Sequence, residues 1–247
     1  GTKLAYISSE DRDYRIPRLA IYDFDRAEQK VLEGTVDTRV SWSPDSKEVF
    51  FVRNRAGRND LYVYNLDKDE EHRLSAALRP RDPHVSPDGK RLTFVRNEDG
   101  STNLCMINRD GTGLQQLTNY QDGSQIYSPK WSPDGEWILF SLFRGEDRDI
   151  ARIRAESPPL PKQLARGKKS MLSRLVNKKD TLSVFPDSIA FPHADTSGFE
   201  VLLASHADER DPAWLADGSG FVFSSDRSGI FNIYRYDLES AQVTQLT

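Results

Sequence analysis

Cysteine is nearly missing: Cys105 is the only one among 247 residues, which excludes an internal disulfide and any cysteine-rich zinc site. Long apolar runs are missing too. Val49-Phe50-Phe51-Val52 is typical of what exists, far short of the ~18 residues that suggest a membrane-spanning helix. There is no basic excess, since 34 Lys and Arg face 38 Asp and Glu for a net charge of −4. A dedicated nucleic-acid binder with a basic stripe is therefore not expected. No long stretch repeats apolar residues at helical spacing. The hydrolase pattern Gly-x-Ser-x-Gly and the glycine-rich phosphate loop are both absent. With 10% aromatic and 29% charged residues, the remainder describes a folded, anionic domain rather than a disordered chain.

What the chain does contain is repetition. Trp42-Ser43-Pro44-Asp45-Ser46 returns as Val85-Ser86-Pro87-Asp88-Gly89 and as Trp131-Ser132-Pro133-Asp134-Gly135. A looser copy is Trp214-Leu215-Ala216-Asp217-Gly218. An apolar residue follows each anchor by seven positions and a phenylalanine by nine: Val49 and Phe51, Leu92 and Phe94, Ile138 and Phe140, Phe221 and Phe223. The anchors lie 43, 46 and 83 residues apart. The double gap predicts an eroded unit, and Leu175 with Leu182 and Val184 fits it. Leu4 and Tyr6 hold the same offsets in a truncated first unit, and Leu32, Leu74, Leu117, Leu164, Leu203 and Leu246 end the units. Six units are expected, over approximately 1–34, 35–76, 77–119, 120–166, 167–205 and 206–247 of a single domain.

Each unit reads as four short strands. Ser-Pro-Asp-Gly suits the first reversal, because proline presets φ, aspartate bonds its own backbone and glycine tolerates positive φ. Strands such as Ile138-Leu139-Phe140 are apolar at consecutive positions, which means that both sheet faces are covered. An all-β fold follows, a β-propeller with six four-stranded blades, the first truncated and the fifth degenerate.

The run from Trp-Ser-Pro-Asp-Gly through an apolar-x-Phe strand to Asn-Ile-Tyr and Gln-Leu-Thr closely resembles the TolB-type propeller repeat. The last unit shows it best, in 223–229 (Phe-Ser-Ser-Asp-Arg-Ser-Gly), Asn232-Ile233-Tyr234 and Gln245-Leu246-Thr247. The resemblance covers nearly the whole chain. It implies either a periplasmic, protein-binding propeller or the gating domain of a prolyl-oligopeptidase-like hydrolase.

Candidate chemistry is sparse. The turn aspartates Asp45, Asp88, Asp134 and Asp217 recur too regularly to form one active site and read as turn hydrogen bonding. Trp42, Trp131 and Trp214 read as packing between blades. His72, His84, His193 and His206 share no metal-ligand spacing, so no metal is expected; His84 and His206 are placed near blade-entry loops, where they could meet over the central channel. More promising are the loops between second and third strands, which carry Arg12, Arg55, Arg96, Arg144 and Arg227. The blade-entry loops on the same face add Asp82, Tyr127 and Asp211. Arginine with tyrosine is the mixture enriched at interface hot spots. The one basic cluster, between Lys162 and Lys179, reads as a solvated edge.

The expectation is a non-catalytic binding module without cofactor, monomeric and extracytoplasmic, that takes a protein or peptide on the loop face or channel mouth. It would engage neither nucleic acid nor the membrane interior. The alternatives are a gating propeller of a larger hydrolase, because Gly1 falls within a repeat turn, or a lyase or lactonase at the channel mouth, which would need clustered His, Asp or Glu ligands.

Overall fold

The computed structural model describes residues 1–9, 16–36, 39–145, 147–156 and 199–247. These form five antiparallel sheets in chain order. Sheet one holds β1 (Lys3–Ser8), β2 (Arg18–Asp23) and β3 (Glu28–Val31). Sheet two has its innermost position divided between β4 (Thr35–Val36) and β5 (Ser41–Trp42), followed by β6 (Glu48–Arg55), β7 (Arg58–Asn65) and β8 (Glu70–Arg73). Sheet three runs through β9 (Pro80–Val85), β10 (Arg91–Glu98), β11 (Ser101–Asn108) and β12 (Gln115–Gln116). Sheet four contains β13 (Gln125–Trp131), β14 (Trp137–Phe143), β15 (Arg148–Arg154) and β16 (Phe199–Leu203), and sheet five β17 (Arg210–Trp214), β18 (Gly220–Ser225), β19 (Asn232–Asp237) and β20 (Val243–Gln245).

The sheets are blades. Strand β2 packs against β4, β6 against β9, β10 against β13, and β14 against β17, so each sheet lies on the next. Four apolar cores fill the four interfaces. Phe51 and Val49 join Leu19 and Ile21 between blades one and two, while the adjacent Phe50 and Val52 join Leu92 and Phe94 between blades two and three. Phe140 and Ile138 face blade three with Leu104 and Met106. Their neighbour Leu139 faces blade five with Phe221 and Phe223. Successive side chains of a strand point to opposite faces. A sheet sandwiched on both sides therefore needs apolar residues at odd and even positions alike, which explains the continuous runs.

Among the described residues the blades number five, where six were expected. Strand β16, ending at Leu203, pairs with β15 as the outermost strand of blade four instead of closing a separate fifth unit. The rest of that unit, including Leu164, Leu175, Leu182, Val184 and the basic cluster, lies outside the described residues. Blade one has three strands, and among the described residues no strand pairs with the inner edge of β1.

The repeated turn works through its serine and aspartate. Ser43, Ser86 and Ser132 each donate a hydroxyl hydrogen bond to the aspartate two residues on and accept the backbone N–H of the residue five on. The next residue adopts a left-handed conformation, φ +70° at Gly89 and +75° at Gly135, with Ser46 at +58° in the first copy; glycine is favoured there because it has no Cβ. Hydrogen bonds from Ser43 and from the Lys47 N–H hold Asp45 below the usual carboxylate range, and Ser86 with Lys90 does the same for Asp88. At Asp134 burial works in the opposite direction and is outweighed by Ser132 and the Glu136 N–H. Asp217 is lowered by the N–H and hydroxyl of Ser219.

Candidate functional site

The innermost strands line the axis, and three of them carry the same irregularity. Asp82, Ser128 and Asp211 each stand three residues before the anchor and directly before a proline. Each has positive φ, at +49°, +52° and +52°, and each marks a shift of register against the neighbouring strand. A residue before proline ordinarily stays extended. Non-glycine residues in this region cost of order 1–3 kcal/mol and persist where surrounding structure over-determines them. The bulge turns these three side chains toward one another. The Ser128 hydroxyl donates to Asp211 at 2.9 Å, the Ser128 N–H approaches Asp82 at 3.5 Å, and Arg39 reaches across from blade two to the same Asp211 oxygen. Lys130 lies among them, its pKa lowered first by burial and then by the Arg39 charge, with Asp82 and Asp211 opposing the shift.

A second arc runs along the rim where the innermost strands begin. The ring of Tyr127 is held between two guanidiniums, Arg81 at 5.3 Å and Arg148 at 4.4 Å from its centroid. Arg148 continues to Asp208 at 3.6 Å, and Asp208 in turn accepts from Arg210, whose guanidinium covers Phe231. Paired hydrogen bonds from Arg210 hold Asp208 below the usual carboxylate range. Arg81 differs from its neighbours. Its Nε and Nη2 are buried, and neither has a hydrogen-bond partner among the described residues.

Of the residues expected from sequence, Asp82, Tyr127 and Asp211 thus converge at the axis end of blades three to five. The loop arginines are dispersed around it and engaged internally. Arg55 lies over Tyr62 and 3.9 Å from Glu71, Arg96 is 3.3 Å from Glu98, and Arg144 is 3.0 Å from Asp149. Arg227 bonds Glu209 at 2.6 Å. Arg12 lies outside the described residues, as does His193. The two channel histidines have no partner in common. His206 is fully exposed with Nδ1 3.3 Å from Asp147, while His84 is half-buried in β9. Arg39 and Lys130 were not singled out by sequence. The usable signal was Asp/Ser-Pro recurring three residues before the anchor.

His84 serves the seam between blades. Its Nδ1 accepts the Trp131 N–H at 3.2 Å, and its carbonyl accepts the Trp131 indole N–H at 3.2 Å. The preceding seam uses Ser41 in the same place, its hydroxyl accepting the Val85 N–H at 3.1 Å. In the following seam the Trp214 indole donates to the Lys130 carbonyl at 3.1 Å. Accepting requires a neutral imidazole, and burial, reinforced by the Lys130 charge, lowers the His84 pKa to about 3. An imidazole that protonates near 6.5 when unfolded and near 3 when folded contributes stability that is fully present above pH 6.5 and is lost as the pH falls. Chemical denaturation is expected to show a loss of about 2 kcal/mol between pH 6.5 and 4.5, before the turn aspartates begin to protonate. His84→Ser keeps an acceptor of the Ser41 type and should flatten that interval; an unchanged slope would remove His84 as its source.

Among the described residues no group of three or more His, Cys, Asp or Glu side chains is placed to hold a metal ion, and no helix is long and apolar enough to cross a membrane. At the turn end of the axis Trp42, Trp131 and Trp214, with Pro44, Pro87 and Pro133, line an open apolar depression of about 410 Å³.

Comparison with known proteins agrees with this architecture. Residues 1–185 match the model of the TolB beta propeller domain. The Tol-Pal system protein TolB of Alkalilimnicola ehrlichii is 33% identical over 79 residues, covering 31% of this chain and 18% of that protein. The crystal structure of TolB from Acinetobacter baumannii superposes with a TM-score of 0.68 at 17% identity, covering all of this chain and 53% of that one. Prolyl oligopeptidase B from Galerina marginata gives a TM-score of 0.60 at 13% identity, over the whole chain and 33% of that structure. The chain spans less than two thirds of each, and at these identities the two structures show the fold alone. By the match over most of its length, the chain belongs to the TolB beta propeller domain family.

Proposed function

We propose that this propeller is a non-catalytic binding module, and that a protein or peptide partner docks where the innermost strands open onto the rim. One observation carries the reading: Tyr127 stands between Arg81 and Arg148 at the axis, beside backbone held in a costly conformation, and Arg81 has no acid partner among the described residues. Rigid aromatic and arginine side chains on a strained scaffold are what interface anchors require. Asp82 and Asp211 supply acceptors at the same mouth, and Arg96, Arg144 and Arg227 form its charged surround. The Tol-Pal system protein among the relatives supports a protein partner and an extracytoplasmic location. An acidic partner meeting the exposed guanidiniums of Arg148 and Arg210 on this arc fits best, because a guanidinium binds carboxylate in a forked geometry.

A displayed peptide library panned on the immobilised propeller is expected to enrich sequences with acidic residues. Calorimetric affinity for a selected peptide should fall tenfold or more in Arg81→Ala and in Arg148→Ala, and stay within twofold in Arg55→Ala, which lies apart from the arc. Equal losses in all three, or no enrichment, would remove this assignment. The gating alternative uses the same mouth; a Gly-x-Ser-x-Gly domain in the same reading frame would replace the binding-module reading.

A further inference from the structure

Blade two carries a surplus of positive charge at the tip of its second hairpin. Strands β6 and β7 join through the two-residue turn Ala56-Gly57, both at positive φ, +50° and +77°, as a tight hairpin requires. Asn54 fastens the turn, accepting the Gly57 N–H at 3.2 Å and donating to Asn59 at 2.7 Å. Arg55 is thereby held directly opposite Arg58, and like charges directly opposite each other destabilise a sheet. Paired residues share a face and alternate ones return to it, so Arg53, Arg55, Arg58 and Arg73 stand with Asp60, Tyr62 and Glu71 on the side turned to blade one. Both carboxylates there are already engaged. Asp60, 3% exposed, accepts from Arg73 at 2.7 Å and from the Ala77 N–H at 2.8 Å, while Glu71 accepts from Arg53 and lies 3.9 Å from Arg55. Four guanidiniums against two carboxylates leave two positive charges in excess, and the exposed Arg58 makes no ion pair among the described residues. Blades three and four have no such excess. Glu98 and Ser101 take the Arg55 and Arg58 positions in blade three, with Gln116 at that of Arg73. In blade four Val201 takes the Arg73 position, and Arg144 pairs with Asp149.

We propose that this hairpin forms an anion site for a phosphate monoester, bound between the guanidiniums of Arg55, Arg58 and Arg73. The three arginines and Tyr62 line an open cavity of about 520 Å³, which leaves room for the organic part of an ester beside its phosphate group. A phosphate monoester carries close to two negative charges at neutral pH, which matches the excess on this face. Planar guanidiniums bind its oxygens in forked pairs. The site is also preorganised. Arg53 and Arg55 lie over the Tyr62 ring, 5.7 and 5.6 Å from its centroid, and the fastened turn fixes the separation of Arg55 from Arg58. Arg53 and Arg73 neutralise Glu71 and Asp60, so neither acid repels the ligand. The like-charge pairing that costs stability in the empty hairpin is relieved when an anion lies between its members.

The test titrates the full chain with phenyl phosphate at low ionic strength and reads both heat and backbone amide shifts. Amides of residues 54–58 and 71–73 are expected to move, and inorganic phosphate should bind more weakly because it leaves the rest of the cavity empty. Affinity for phenyl phosphate should fall about tenfold in Arg58→Ala and in Arg55→Ala, the scale of a charge-assisted hydrogen bond. It should stay within twofold in Arg91→Ala, at the opposite end of blade three. Arg55 and Arg58 are exposed, so both variants are expected to fold, which circular dichroism checks; the amide map of the parent chain stands without them. No binding at millimolar phenyl phosphate, or shifts confined to other residues, would overturn the proposal. Equal losses in Arg58→Ala and Arg91→Ala would do the same, since binding would then follow overall charge. Equal affinity for phenyl phosphate and inorganic phosphate would overturn the assignment of a monoester.

Discussion

Arg227→Ala is expected to destabilise the fold by about 3–5 kcal/mol, the cost of leaving a buried charge without its partner. Glu209 is 0% exposed, and its Oε1 accepts from Arg227 at 2.6 Å and from the Ser205 hydroxyl at 2.7 Å. The Arg227 guanidinium also lies over Phe223 and Tyr234, at 5.4 and 5.1 Å from their ring centroids. The other carboxylate oxygen, Oε2, is buried and has no hydrogen-bond partner among the described residues. Nothing there can take over when the guanidinium is removed. Urea denaturation measures the loss, and the double variant Arg227→Ala/Glu209→Gln separates charge from packing. With the carboxylate neutralised, a substantial part of the stability should return, because a buried amide costs far less than a buried anion. If Arg227→Ala costs less than 1 kcal/mol, the pair is unimportant, and Arg227 is available for a partner after all.

Phe140→Ala is expected to cost about 3–5 kcal/mol, the range for deleting a fully buried phenylalanine. The side chain is at 0% exposure between blades three and four. Leu139→Ala, one residue earlier on the same strand, should cost about 2–5 kcal/mol but open the opposite seam, against Phe221 and Phe223. Amide exchange distinguishes them. Phe140→Ala should accelerate exchange in β10 and β11, and Leu139→Ala in β18 and β19. Acceleration in the same strands for both would mean that the faces are not separately packed.

These two residues also show how far the fold was legible in the sequence. Phe140 sits in a column, nine after the anchor, and such columns recur because every blade meets the same packing problem. The blade count was less legible. Fourth strands are short and alike, so the run ending at Leu203 matches its column equally well whether it closes its own unit or the one before. The pattern records what a strand resembles, not which neighbour it hydrogen-bonds. The site was legible by residue type only. Arginines in loops were visible, but the acid that binds Arg227 lies eighteen residues upstream at Glu209, and ion pairing of that kind leaves no local signature. Asp82, Ser128 and Asp211 carried a readable Asp/Ser-Pro signal. Their positive φ was not readable, since proline predicts the reverse and only the tertiary setting imposes it.

The alternation that sends Phe50 to one core and Phe51 to another has a bearing on how such a chain tolerates change. Inserting or deleting one residue within a second strand would reverse the parity of everything after it, moving both flanking seams at once. Gain or loss of a whole unit preserves parity, because it adds or removes one complete set of both faces. Family members built this way are therefore free to differ in the number of blades and in the length of rim loops, while the interior of each second strand keeps a constant residue count.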